Sequence, residues 1–304
     1  MSAKETFITK EETLAGAPDL QRSFVEPRAV FNAVLSGVAW VAAIIASIPL
    51  ISVLYGLIVR GGHRLSLEVF TELPPAGFEE GGGFGNAIVG TLVTVGIGAL
   101  ISIPFGILAA IFLGELEPNG KVANVARFCA KTLTGLPSIL AGVFAYAVVV
   151  LATGTYSAPA AGVALALLML PTVVLTAEES MRMVPAPMKN AAYGLGCTRS
   201  QVIWKIVLPT ALPGVLTGVM LAIARAAGET APLLFTALFS NYWFFEGGRA
   251  ELMTPIASLS VLIYNFSGMP YDNQIELAWT ASLVLVMLVL LFNILARVLG
   301  RKKV

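Results

Sequence analysis

Inside the apolar stretch GVLTGVMLAIARAAGETAPLL, at positions 214–234, an arginine and a glutamate stand one helical turn apart as Arg225 and Glu229. A charge near the centre of a bilayer costs roughly 2.5 kcal/mol at the low end and more against lipid, so an ion pair there marks a functional-site candidate. The chemistry open to the pair is electrostatic. A guanidinium stays protonated when partly desolvated and offers a planar fork of donors to an anion. A carboxylate one turn away can occupy that fork when no anion is present. At about 100° per residue, Gly214, Gly218, Ala222, Arg225, Glu229 and Pro232 fall within about 80° of arc, while Leu216, Met220 and Ile223 point elsewhere. Small residues permit close approach of a backbone or a solute. This face is therefore predicted to look into protein or a pathway and not into lipid. The same pair admits an architectural reading, in which it pins its span to a neighbour.

The element that must carry the pair is a membrane span, and the composition supplies several. With 57% hydrophobic and 12% charged residues among 304, the chain has too little charge for a soluble protein of its size. Apolar runs predict spans at about 31–58, 87–113, 128–152, 158–178, 210–237 and 277–299. Each is long enough, at about 1.5 Å per residue, to cross roughly 30 Å of hydrocarbon. The predicted fold class is an all-α polytopic membrane protein with six transmembrane helices. A polar tail occupies 1–30, the transmembrane domain 31–304, and two long loops 60–86 and 238–276. Pro104, Pro171 and Pro232 fall within spans and predict kinks or local unwinding.

Sorting the 19 basic residues by loop orients the chain, because cytoplasmic loops are enriched in lysine and arginine. With the N-terminus inside, Arg60, Arg64 and Arg249 fall outside, Arg225 lies in the membrane, and the rest are cytoplasmic. The long loops 60–86 and 238–276 are then extracytoplasmic. The first apolar run follows a polar segment and exceeds the core of a secretory signal, so it is predicted to remain as an uncleaved span. Cys129 and Cys197 fall at or inside the cytoplasmic edge, where thiols stay reduced, and are predicted to form no disulfide.

Between the fourth and fifth spans, EESMRMVPAPMKNAAYGLGCTRSQVIWKIVLP at 178–209 is too long for a simple turn. Met188, Ala191, Ala192 and Leu195 recur at three and four residues, and beyond Gly196 so do Val202, Ile203 and Ile206. The pattern predicts two short amphipathic helices joined at Gly194 and Gly196, with Lys189, Arg199 and Lys205 on a solvated side. On shape alone such a knob fits equally a helix lying on lipid headgroups.

Other polar groups near the spans are fewer. Glu178 and Arg182 share a face at the end of the fourth span, placed for an interfacial salt bridge or for a solute. Thr134 and Ser138 flank Gly135 and Pro137 in the third, where hydroxyls at a broken helix either pack or touch a solute. GELEPNGKV at 114–122 lacks the first glycine and the Ser/Thr of a phosphate-binding loop. The single histidine, His63, has no metal-spaced or nucleophilic companions. No catalytic residue, metal ligand or cofactor is assigned to this chain, and it is not read as an enzyme.

The spacing Asn190-Ala191-Ala192, three residues, Gly196, nine residues, Ile206, one residue, Leu208-Pro209 resembles the EAA motif of ABC importer permeases. GGGFGNAIVGTL at 81–92, LTGLPSILAGVF at 133–144, EESMRMVP at 178–185, LAIARAAGETAPLLFTAL at 221–238 and NILARV at 293–298 are similar to that family's phosphate-specific permeases. The resemblance implies a type I ABC importer permease (MetI-like) fold in a bacterial inner (plasma) membrane, with both termini cytoplasmic. It implies that 178–209 is a coupling loop presenting Asn190, Ala191, Ala192, Gly196, Ile206, Leu208 and Pro209 to a cytosolic ATPase dimer, which holds the ATP and Mg. It further implies a heterodimer with a second permease subunit, a periplasmic or extracellular phosphate-binding protein on the outer loops, and contact with lipid but not nucleic acid. Two positions depart from the family pattern. Asn190 stands where a glutamate is usual, and Leu175 where relatives often carry an arginine.

On that resemblance, the anion is phosphate and the pathway residues are Arg225, Glu229, Glu178, Thr134 and Ser138. Phosphate and Glu229 would compete for the Arg225 fork, and a carboxylate would accept the P–OH of monohydrogen phosphate while repelling sulfate. A permease for another oxyanion, molybdate or sulfate, would share this architecture. An intramembrane enzyme using Glu229 is the weakest alternative, because the neighbouring arginine lowers that carboxylate's basicity.

Overall fold

The computed structural model describes residues 27–246 and 249–300; the predicted tail as far as 26, and Arg301, Lys302 and Lys303, lie outside the described residues. Two compact units are distinguished, one ending at Tyr55 and one beginning at Gly56. Helix α1, Pro27–Gly62, supplies the described part of the first. Its side chains from Val30 to Tyr55 are exposed, Ile44, Leu50 and Tyr55 among them. A helix apolar on every side suits lipid and not water.

In the second unit, after a single helical turn at Glu68–Thr71, the order is α2 (Gly85–Leu116), α3 (Lys121–Thr134), α4 (Ser138–Thr153), α5 (Ala158–Arg182), α6 (Ala186–Gly194), α7 (Arg199–Gly228), α8 (Ala231–Leu234), α9 (Leu259–Ser267) and α10 (Asp272–Gly300). Five helices, α1, α2, α5, α7 and α10, are long and apolar enough to cross a membrane, and the bent pair α3 and α4 makes six if counted as one span. The six-helix class therefore stands, with one small addition: an antiparallel hairpin pairs Phe245–Glu246 with Arg249–Ala250.

Helix α5 is the centre of this unit: 67% of its most apolar window is buried, against 33% or less for α2, α7 and α10. Small residues set how closely its neighbours come. Gly98 and Gly106 of α2 lie against Leu165 and Val173 of α5, and Gly162 of α5 lies against Ile97. On the other side Gly214 and Gly218 of α7 meet Ser180 and Thr176 of α5, so the two helices run antiparallel. A side chain at any of these glycines would force the helices apart. The Gly214, Gly218 and Ala222 part of the small-residue face predicted for the fifth span thus looks into the interior of the chain, whereas Arg225, predicted on the same face, is exposed.

Three predicted boundaries are corrected. The third span, predicted as continuous over 128–152, is two helices meeting at 105°, α3 starting at Lys121. Pro137 lacks an N–H and keeps Leu136 out of helical geometry, so the ladder breaks there. The fifth span, predicted to reach 237, stops at Gly228, and Glu229 is extended at φ −74°, ψ 127°. Pro232 cannot donate to the Gly228 carbonyl and its ring would collide with it. Pro104 and Pro171, by contrast, lie within continuous helices and unwind neither. The loop 238–276 is also more than a connection: α9 buries Leu259, Leu262 and Phe266 against Leu277 and Ala281 of α10 and Phe84 and Ala87 at the start of α2. Ser258 caps α9 by accepting from the Val261 N–H.

The stretch 178–209 is likewise rearranged. Helix α5 continues to Arg182, α6 is the first predicted short helix, and the second is no separate helix. It is the first turn of α7, opened by a capping box between Thr198 and Gln201 and running through a π-helical turn at Ile203–Val207. That turn comes just before Pro209, where the ladder loses a donor. The joint between α6 and α7 is Gly196 in the left-handed region, at φ 82°.

The broken end of α7 is clamped by a backbone contact. A Cβ at Gly142 of α4 would lie 2.6 Å from the Pro232 Cα. Gly142→Val is expected to cost about 1–3 kcal/mol by overpacking, lowering the thermal unfolding midpoint in detergent. Gly96→Ala, with nothing within 4 Å of its new methyl, is expected to leave the midpoint unchanged or raise it.

Candidate functional site

Arg225 occupies the last turn of α7, and Glu229 is the first residue beyond it. Although Glu229 is not on the helix as predicted, the pair still forms, with Arg225 Nε donating to Glu229 Oε1 at 3.3 Å. The side chains are 43% and 16% exposed. A guanidinium has five N–H donors, and this contact is the one hydrogen bond to Arg225 among the described residues. Carbonyls at a helix C-terminus also favour a cation there. Glu229 is the better-held partner: its N–H reaches the Ala226 carbonyl and its own carbonyl accepts from the Ser260 hydroxyl of α9. Ser260 has no sequence signal, since its role comes from the way α9 folds back onto the helix end.

The other predicted pathway residues are not gathered here. Ser138 begins α4 four residues before Gly142, so it shares the face that meets Pro232. Thr134 ends α3 on the far side of the bend, exposed, with its hydroxyl donating to the Lys131 carbonyl. Glu178 lies near the C-terminal end of α5, away from the pair. From the Gly214–Ser180 and Gly218–Thr176 contacts, it sits level with α7 about nine residues before Arg225, roughly 13 Å along the axis.

Glu178 is buried and paired twice through one oxygen. Arg127 Nε donates to its Oε1 at 2.6 Å and Arg182 reaches the same oxygen at 2.8 Å. Arg127 also donates to the carbonyls of Leu113 and Pro118 and to Asn124 Oδ1. The predicted Glu178–Arg182 pair is present, but sequence reasoning missed Arg127, which belongs to α3 and is placed by the turn after α2 and the packing of α3 on α5. The contrast with Arg225 is plain. Arg127 spends its donors on structure, whereas Arg225 keeps most of its own free.

At the joint of α6 and α7, Asn190 and Ala191 are exposed, Ala192 is buried, Gly196 is exposed, and Ile206, Leu208 and Pro209 are half-buried. Met188, Tyr193 and Leu195 add exposed apolar surface to the same knob. The prediction that Lys189 and Arg199 are simply solvated is corrected: Lys189 Nζ pairs with Glu115 Oε1 at 2.5 Å, and Arg199 donates to the Glu115 and Leu116 carbonyls. Lys205 is exposed as predicted. Cys129 and Cys197 are free thiols. No group of three or more metal-ligating side chains occurs among the described residues.

Comparison with known proteins bears on this geometry. The family profile described as "Binding-protein-dependent transport system inner membrane component" matches residues 102–304. The phosphate transport system permease protein PstA of Yersinia pestis is 41% identical over 254 residues, covering 84% of each chain. The protein of the same name from Haemophilus influenzae is 38% identical over 276 residues, covering 91% of this chain and 96% of its own. Among solved structures, an inward-facing MetNI methionine ABC transporter chain superposes with a TM-score of 0.56 at 21% identity, covering 71% of this chain and 92% of that one. That likeness is one of fold.

The network at Glu178 is expected to be a stability element. Glu178→Gln strands Arg127, whose side chain is 15% exposed, and is expected to destabilise by about 3 kcal/mol. Arg182→Gln removes the half-exposed partner and is expected to cost about 1 kcal/mol or less. Unfolding midpoints of the two purified variants, measured side by side, check the ranking.

Proposed function

The chain belongs to the family of binding-protein-dependent transport system inner membrane components and, within it, groups with the PstA phosphate permeases, and from that membership we propose how it handles its anion. It serves as one permease subunit of an ATP-driven inorganic phosphate importer and contributes half of the pathway. Arg225 is the fixed cation that phosphate meets on its way through. The observation that carries this reading is a guanidinium at the broken end of a membrane helix, 43% exposed in the single subunit and engaged by one carboxylate at 3.3 Å.

Crossing a hydrocarbon layer is prohibitive for a mono- or dianion, so the pathway must present positive charge and then withdraw it. Arginine presents it without risk of deprotonation, and its planar fork matches two oxygens of a phosphate. Glu229 withdraws it. When phosphate leaves, the carboxylate retakes the fork, so the guanidinium is never left uncompensated. While phosphate is bound, the same carboxylate accepts its P–OH, which sulfate at neutral pH does not have. Ser138, on the face of α4 that meets Pro232, is a hydroxyl candidate for the same route, while Thr134 and Glu178 are engaged within the chain.

Coupling to ATP belongs at the other end. Exposed Met188, Asn190, Ala191, Tyr193 and Leu195 form a mixed apolar and polar face on and just beyond α6, which fits a groove on an ATPase subunit. With that end cytoplasmic, both termini are cytoplasmic, and the long loops face the phosphate-binding protein. A similar, non-identical permease completes the pathway, and ATP with its Mg stays on the ATPase pair.

Reconstituted with its partner subunits, Arg225→Gln is expected to assemble normally and lose phosphate uptake by about 10- to 100-fold, the worth of a charge-assisted hydrogen bond. Failure to assemble would point to the architectural reading instead. Glu229→Gln is expected to keep part of the uptake but become open to competition by sulfate, measured as inhibition of labelled phosphate entry.

A further inference from the structure

The charges around α6 suggest a route for force that chain connectivity alone does not provide. Helix α6 is joined to α5 through Pro185 and to α7 through the Gly196 joint, and Ala192 is its one buried side chain. Both flanks are non-helical, so chain connectivity gives α6 no rigid link to elements distant in sequence. Helix α2 is such a distant element, yet it runs along the buried core helix α5, and its last turn is π-helical at Phe112–Leu116. Two side chains from opposite sides of the Gly196 joint land on that turn. Lys189 on α6 pairs with Glu115 Oε1 at 2.5 Å, the side chains being 19% and 10% exposed. Arg199, at the start of α7, donates to the Glu115 and Leu116 carbonyls.

We propose that Glu115 is the positioning residue through which movement of α6 is passed to α2, with Lys189 as its moving partner and Arg199 as its fixed one. The three attachments close a triangle. While the Lys189–Glu115 bond holds, α6 cannot rotate about Gly196 without dragging the end of α2 with it. A bond this well shielded is screened less than a surface pair. The π-helical turn gives the end of α2 a place to yield, since such turns carry a poorer ladder than the helix around them. Arg199 binds main-chain oxygens, so its hold does not depend on the identity of residue 115.

The inference rests on the reading of α6 as the ATPase-docking element, and its test separates the two. The complete importer is reconstituted in liposomes with its phosphate-binding protein, and phosphate entry and ATP hydrolysis are measured together. Uptake by the parent complex tests the proposed function. For Lys189→Met, the complex is expected to assemble and hydrolyse ATP near the parent rate, while phosphate moved per ATP falls by about threefold or more, within the span of known coupling effects. The exchange Glu115→Lys with Lys189→Glu is expected to restore most of the ratio. An unchanged ratio in Lys189→Met, equal losses of hydrolysis and uptake, loss of the ATPase from the complex, or no recovery on exchange would each overturn the proposal even with the parent fully active.

Discussion

A guanidinium at the broken end of an apolar helix, engaged by one carboxylate among the described residues, is the constraint on which the rest of this structure depends. Buried charge is tolerated where it is paired and hydrogen-bonded, and Arg127 meets that rule with two carbonyls, an amide oxygen and a carboxylate. Arg225, with 43% of its side chain exposed, has one carboxylate as its partner among the described residues. A charge carried on a membrane helix is costly unless it is paired or has something further to bind. It also has to be held in place, or the side chain would find carbonyls of its own.

The hold comes from how α7 ends. Pro232 stops the helix at Gly228, which frees Glu229 from the helical ladder and leaves it adjacent to the last turn. Ser260 then fixes the Glu229 main chain, and Gly142 lets α4 press directly on Pro232. Each of these residues acts on position, not on charge. Farther along the same helix, Gly214 and Gly218 bring α7 against the central α5, so displacement of α7 is resisted along its length. At the far end, the Gly196 joint and the charges around Glu115 link α6, α7 and α2. The Arg225–Glu229 pair and the α6 joint therefore lie at opposite ends of α7.

Much of this was legible in the sequence, for physical reasons that differ by residue. Arg225 and Glu229 stood out because charge in an apolar run is expensive wherever the fold puts it, and the six apolar stretches followed from length alone. The pair at Glu178 and Arg182 was legible from its spacing. What the sequence hid depended on tertiary contact or on where a helix yields. Arg127 reaches Glu178 only once α3 turns back after α2 and packs on α5, and Ser260 reaches Glu229 only after α9 folds back. Lys189 and Arg199 read as solvated charges because Glu115 is far away in the chain. Proline was an incomplete guide: Pro137 and Pro232 mark breaks, while Pro104 and Pro171 are absorbed within α2 and α5. The difference at Pro232 is the preceding Gly228, a residue that already favours leaving the helix.

The account is tested most directly by asking whether phosphate touches this guanidinium. In the assembled importer in lipid, with arginine side chains labelled with nitrogen-15, dipolar dephasing between phosphorus-31 and guanidinium nitrogen reports hydrogen-bond proximity. A dephasing signal that is present in the parent under transport conditions and disappears in Arg225→Lys is expected. A signal unchanged in Arg225→Lys, or no signal in a parent complex that is actively importing phosphate, would contradict it.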